Sequence, residues 1–223
     1  LSPDRYSRQT RLPEVGTAGQ DRLSRAHVVV VGCGALGCAA SDLLVRAGVG
    51  RLTLVDRDLV EWSNLHRQAL FSEADARAGR PKALAGAARL KCVNSSVVVD
   101  AVVADLRASN VVTLVPSDAS LVVDATDNFE TRYLLNDVCV KHGLPLVYGG
   151  VIGARGMQAT FAPGGPCLRC VFPEPPEPGS QQTCESAGVL GPAVAVVGAL
   201  QAAAAVRFII EGELPRLLHE WDV

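Results

Sequence analysis

His27-Val28-Val29-Val30-Val31-Gly32-Cys33-Gly34-Ala35-Leu36-Gly37 is the stretch that decides the fold. A β-branched run suits a strand, and this one stops at Gly32. Residues 35–47 then carry a small-residue helical pattern closed by Gly48, and residues 51–55 read as a second strand followed at once by Asp56. Strand, glycine turn, helix and strand make one βαβ unit, with Gly32, Gly34 and Gly37 in G-x-G-x-x-G spacing at its first turn. There the first glycine permits the tight turn, the second lets phosphate approach the backbone, and the third lets helix and sheet pack closely. Phosphate would meet the N-terminus of the helix, and Asp56, 24 residues beyond Gly32, would hold ribose hydroxyls. The motif points to a nucleotide without saying which; a glycine turn with no ligand is the plain alternative.

Outward from this unit, residues 97–103 and 120–123 are strand-like, 129–142 form a helix candidate, and 144–148 read as another buried strand. Strands alternating with helices imply an α/β fold, a Rossmann-like doubly wound, mainly parallel sheet with helices on both faces. Near Gly149 the character changes. Residues 156–161 suit an edge or antiparallel strand, so a small C-terminal antiparallel extension is expected, and 163–181 are rich in Pro, Gly and Glu, as a loop would be. Residues 189–210 restore a long, almost uncharged helical pattern, to be buried against the sheet or a partner subunit.

Composition bounds the function. A chain of 223 residues suits one domain and leaves little room for two catalytic ones. Hydrophobic residues at 48% and charged residues at 20% exclude a disordered or collagen-like chain. Lys and Arg total 21 against 23 for Asp and Glu; this balance gives no electrostatic footprint for nucleic acid or an anionic membrane. No apolar run is expected to approach the roughly 18 uncharged residues of a membrane span, and the start, Leu1 to Arg5, has no signal-peptide pattern. Seven cysteines with one close pair argue against a disulfide framework, and a reducing cytoplasm is the expected setting.

Downstream of Asp56 lie Arg57-Asp58-Leu59-Val60-Glu61-Trp62-Ser63-Asn64-Leu65-His66-Arg67-Gln68 and Gly79-Arg80-Pro81-Lys82. Arg67 and Lys82 supply fixed positive charge that could neutralise a triphosphate, and Asn64 could bind a ribose or phosphate oxygen; a solvated charged turn is the alternative. Asp124-Ala125-Thr126-Asp127-Asn128 follows an apolar strand, so its carboxylates face the crevice where such sheets bind ligands. Asp127 is the candidate Mg²⁺ ligand there, because Mg²⁺ takes one or two carboxylates with phosphate oxygens and waters; N-cap of the following helix is its other role. A nicotinamide-dependent oxidoreductase could use the same glycine loop, but the remaining length barely allows its usual substrate domain.

These motifs, with Arg5-Tyr6-Ser7-Arg8-Gln9, Ala47-Gly48-Val49-Gly50, Cys167-Leu168-Arg169-Cys170 and Thr183 to Pro192, resemble the bacterial relatives of the ubiquitin-activating enzyme. Those are the sulfur-carrier-protein adenylyltransferases of molybdopterin and thiamine biosynthesis, and the similarity runs in order along nearly the whole chain. It implies adenylation of the C-terminal glycine of a ubiquitin-fold carrier ending in Gly-Gly, with ATP and Mg²⁺, and later displacement of AMP by an unidentified sulfur donor. By the same resemblance Gly32, Gly34 and Gly37 form the ATP turn, Asp56 holds the ribose, Asn64, Arg67 and Lys82 the phosphates, and Asp127 the Mg²⁺. Arg8 matches an arginine that reaches into the neighbouring subunit's site, which implies a homodimer. Residues 1–150 would be the nucleotide-binding core of a single adenylation domain, and 151–223 the carrier-binding, cysteine-pair and dimer-packing part.

Cys167 and Cys170 have the spacing of half a tetrahedral zinc site. The family's second Cys-x-x-Cys is not in this sequence, so either a tail is missing or the metal has been lost. Cys184 matches a cysteine that in some relatives links covalently to the activated carrier and in others is dispensable; an incidental thiol is the equal alternative. Cys33, Cys38, Cys92 and Cys139 read as small buried residues, and none of the four histidines has catalytic context. Five of the ten residues 173–182 are Pro or Gly, and this loop is expected to be mobile without a carrier.

Overall fold

The computed structural model describes residues 5–174, 187–212 and 218–222. One seven-stranded sheet gathers its strands from the first and last of these stretches. Its strands are β1 (His27–Val31), β2 (Arg51–Val55), β3 (Val98–Val102), β4 (Leu121–Asp124), β5 (Leu146–Ile152), β6 (Arg155–Phe161) and β7 (Leu218–Asp222), in the order β3-β2-β1-β4-β5-β6-β7. The first five pair parallel, and β6 and β7 add antiparallel. The chain winds from β1 out to β3, then returns to lay β4 against the other side of β1. The carboxyl edge at β1 and β4 is therefore the switch point of the winding, the place where sheets of this kind bind ligands.

Both faces are covered. On one side lie α1 (Gly16–Arg25), α2 (Ala35–Ala47), α4 (Lys82–Val93) and α8 (Gly191–Glu211); on the other lie α5 (Val111–Leu114), α6 (Phe129–His142) and α7 (Leu168–Val171). A short 3₁₀ turn (Trp62–Asn64) and α3 (Glu73–Arg77) lie between β2 and α4 in the chain. The period of two in β1 splits its valines: Val28 and Val30 join a core with Leu36, Leu44, Leu52 and Val197, while Val29 and Val31 join one with Val122, Tyr133 and Leu135. The strand expected at 144–148 starts at Leu146 and continues to Ile152.

The expectation about apolar runs is corrected here. Residues 187–206 include no charged side chain, and α8 is long and apolar enough to cross a membrane by length and composition. In the fold it is a core helix. Val194, Val197, Ala202 and Ala205 are buried, and Gly198 lies so close to α2 that a Cβ would stand 2.7 Å from that of Ala39. Cys92 is corrected too: it is exposed, whereas Cys33, Cys38 and Cys139 are buried as expected.

Candidate active site

The three glycines divide the labour of the turn. Gly32 has φ +94°, and a Cβ there would meet the Ala125 carbonyl oxygen at 2.5 Å, so the turn after β1 rests directly on the loop after β4. At Gly37 a Cβ would lie 1.9 Å from the Gly32 carbonyl oxygen, which leaves no room between helix and turn. At Gly34 the nearest such atom is Gln68 Nε2 at 4.0 Å. Of the three, only the second glycine leaves space for a ligand, at the helix end where the first amides have no intrahelical partner.

Asp56, at the end of β2, fastens this turn. One carboxylate oxygen accepts the Cys33 N–H at 2.6 Å and the other the Asp58 N–H at 2.7 Å. Burial raises its pKa above the ordinary carboxylate value, against the pull of those N–H groups and of Lys82. A carboxyl whose pKa is higher folded than unfolded stabilises the fold below its unfolded value and loses that contribution as pH rises through the folded one. Asp56→Asn is therefore expected to flatten the melting temperature against pH from about 4 up to the raised value, while weakening nucleotide binding. Calorimetry at stepped pH checks this; an unchanged slope would contradict it.

The basic rim comes from two neighbouring elements. Asn64 is buried at the end of the 3₁₀ turn, its Oδ1 accepting the Glu61 N–H at 3.0 Å. Arg67 is half-buried, donates to the Ser63 carbonyl at 2.8 Å and pairs with no carboxylate among the described residues. The first residue of α8 closes over it, a Cβ on Gly191 standing 3.7 Å from Arg67 Cβ. Lys82 opens α4, with its carbonyl oxygen 3.7 Å from Cys33 Sγ and its Nζ 3.0 Å from Asp58 Oδ2. Lys82 is thus packed against Cys33, the residue before the open glycine, and Arg67 immediately precedes Gln68, the side chain nearest to it.

After β4 the two aspartates part. Asp124 is fully buried and accepts the Thr126 N–H at 2.9 Å and hydroxyl at 2.7 Å, so it shapes the loop. Asp127 is exposed, and among the described residues its one hydrogen-bond contact is with Asn128 Nδ2 at 3.5 Å. Its alternative role as helix cap is corrected: Asn128 caps α6, accepting the Thr131 N–H at 2.9 Å. An exposed carboxylate with no ion pair among the described residues suits a hard cation such as Mg²⁺.

Other candidates lie apart. Arg8 is exposed on a segment held at the far end of α2, where Gln9 donates to the Ala47 carbonyl at 3.0 Å and Tyr6 lies against Gly48. Cys167 and Cys170 flank the start of α7; partial burial would raise the Cys167 thiol, but donors from Arg169, Cys170 and Asn136 hold it below the ordinary value. No cluster of three or more metal-ligating side chains is present among the described residues, so two thiols alone do not fit tetrahedral zinc. Cys184 and most of the 173–182 loop lie outside the described residues. Sequence reasoning missed Asp58, which holds Lys82, and Gln68, which is buried beside Gly34 with Oε1 unpartnered among the described residues. Both stand inside the quoted motif, so their position was the available signal.

Against known families, the ThiF family matches residues 6–220. The chain belongs to the ThiF family. It is 44% identical over 220 residues to the sulfur carrier protein ThiS adenylyltransferase of Bacillus subtilis, spanning 98% of this chain and 65% of that one. The sulfur carrier protein adenylyltransferase of Thermus thermophilus is 49% identical over 214 residues, covering 93% of this chain and 78% of that one. The SAMP-activating enzyme E1 of Haloferax volcanii is 48% identical over 211 residues, covering 94% and 77%. Among solved structures, E. coli MccB with ATP superposes with a TM-score of 0.83 at 25% identity, over 99% of this chain and 72% of that one. The resemblance to the sulfur-carrier-protein adenylyltransferases and the doubly wound fold are borne out, and these relatives lend the oxidoreductase alternative no support.

Proposed function

We propose that this ThiF-family chain is an adenylyltransferase that uses ATP to activate the C-terminal glycine of a ubiquitin-fold sulfur carrier. The observation that carries the reading is the glycine turn, open among its three glycines only at Gly34, with Arg67, Lys82 and Asp127 supplied by three separate segments that follow β2, open α4 and follow β4. The substrate carboxylate is the nucleophile: its oxygen bonds to the α-phosphorus, the bond to the bridging oxygen of the β-phosphate breaks, and pyrophosphate leaves. The protein needs no nucleophilic side chain for this step, so Cys184 stands outside it; its work is alignment and charge stabilisation. The amides at Gly34 and the cations of Arg67 and Lys82 bind phosphate oxygens, with Lys82 exchanging Asp58 for phosphate, and Asp56 holds the ribose. Asp127 would hold Mg²⁺, which offsets charge on the departing pyrophosphate.

The homodimer belongs to the same proposal. Arg8 lies at the far end of α2, whose 13 residues span about 20 Å, so its own glycine turn is remote and a partner's site is the one it serves. A cytoplasmic setting suits the buried free thiols Cys33, Cys38 and Cys139. ATP–pyrophosphate exchange with a panel of Gly-Gly-ending carriers tests the activity; no exchange with any carrier, in protein that binds ATP, would count against it. Mixing inactive Arg8→Ala and Asp127→Ala proteins is expected to restore about a quarter of the wild-type rate, since each mixed dimer has one intact site and half the dimers are mixed. No recovery after subunit exchange would sink the shared site.

A further inference from the structure

We infer that Arg132 is a positioning residue for this reaction, orienting Asp127 through the Thr126 carbonyl. The inference rests on the adenylation reading above. Arg132 stands in the first turn of α6, yet it is 7% exposed. Its guanidinium lies between the rings of Phe129 and Tyr148, 5.4 and 4.8 Å from their centroids. Nη1 donates to the Tyr148 hydroxyl at 2.8 Å, and Nη2 donates to the carbonyls of Thr126 at 2.7 Å and Gly149 at 3.2 Å. The Thr126 carbonyl and the Asp127 N–H belong to one rigid peptide plane. Gripping that oxygen sets the direction in which Asp127 leaves the loop.

The rest of the loop is held as firmly. Asp124 binds the Thr126 N–H and hydroxyl from below, and Gln201 of α8 donates to the Asp124 carbonyl at 2.7 Å and the Val147 carbonyl at 3.3 Å. Asn128 fixes the following turn as the cap of α6. Asp127 is the exposed residue between two anchored peptides. Only a planar fork of several donors reaches these three acceptors together; the ammonium of a lysine does not.

A purely structural role accounts for this arrangement poorly. Arg132 Nε and Asp124 Oδ2 are both buried and without hydrogen-bond partners among the described residues, 3.9 Å apart. Apolar residues of similar volume usually fill such a place at no loss of stability. What they lack is a donor for the Thr126 oxygen, and that is the function assigned here.

The test measures metal binding apart from turnover. Free Mn²⁺ is followed by electron paramagnetic resonance in the presence of α,β-methylene-ATP, alongside binding of the same nucleotide without metal and the melting temperature. Arg132→Lys is expected to bind Mn²⁺ about tenfold more weakly, with metal-free nucleotide binding within about twofold of wild type. Tyr148→Phe removes one hydroxyl that steadies the fork, and a loss of about threefold is expected; it carries the test if the lysine variant fails to fold. Mn²⁺ affinity equal to wild type in the folded variants overturns the inference, as does an equal loss of metal-free nucleotide. Wild type that binds Mn²⁺ and nucleotide but supports no exchange with any carrier removes the adenylation reading, while the variant series still decides the role of Arg132. Wild type that binds no Mn²⁺ overturns both.

Discussion

Gly37→Ala is expected to cost about 4 kcal/mol or more of stability, lowering the melting temperature by more than about 8 °C, whereas Gly34→Ala, three residues earlier, folds nearly as well as wild type. The Gly37 methyl would lie 1.9 Å from the Gly32 carbonyl oxygen and 3.3 Å from Ala125 Cβ, and the obstacle is backbone that no side-chain rotation relieves. That backbone is itself tied down, since the Gly32 N–H donates to the Val55 carbonyl at 2.8 Å. Helix α2 would have to lift off the turn, and with it the core that Leu36 and Leu44 share with the sheet. Gly34 meets nothing closer than Gln68 Nε2 at 4.0 Å, and its backbone is extended, with φ −76° and ψ −154°. Alanine fits there until a nucleotide arrives, and affinity for ATP is expected to fall about a hundredfold, or about 2.7 kcal/mol. Melting curves and ATP titration on the two variants separate the effects. A stable Gly37→Ala protein, or a Gly34→Ala protein that binds ATP normally, would show that the turn is more plastic than its distances imply.

Asp127→Ala is expected to reduce carrier-dependent ATP–pyrophosphate exchange about a thousandfold, with stability changed by less than about 0.5 kcal/mol. The separation of function from folding follows from its setting. Its side chain is exposed and makes one long contact with Asn128, so the loop loses nothing that holds it together. The shape of that loop is supplied by Asp124, Thr126 and Arg132, all of which remain. The loss falls on the charge that meets the departing pyrophosphate. Exchange near the wild-type rate in the alanine variant would remove Asp127 from the site.

The βαβ unit was legible because its signals are local: four valines, a glycine spacing and one aspartate, all within 30 residues, determine the turn at which ligand space opens. The resemblance placed Arg67, Lys82 and Asp127 around it, and the structure brings all three to the carboxyl edge of the sheet. Arg132 was not legible. In sequence it reads as one more charged residue on a helix, and only the approach of β5, with Tyr148 and Gly149, turns its position into an interior one. The cap of α6 failed for a related reason. Asp127 and Asn128 are both good caps, and the choice lies in which of them takes the extended backbone that presents its oxygen to the Thr131 N–H. Cys92 belongs to the same group: it is exposed two residues after the fully buried Leu90, and which face of α4 is covered depends on what packs there. The apolar run of α8 is plain in the sequence, but only the close approach to α2 at Gly198 distinguishes a core helix from a membrane span of the same length.

That length has a bearing on how the chain is made. Helix α8 leaves the ribosome after β1 to β6, and until it finds α2 it is a greasy segment with two competing hosts, the lipid bilayer and the groove beside α2. The strands β1 to β6 and α2 all precede α8 in the chain, so the surface that covers Val194, Val197, Ala202 and Ala205 is synthesised before the helix that needs it. A substitution that unseats α2 would therefore leave an uncharged, apolar helix face without its cover, and aggregation is the expected symptom.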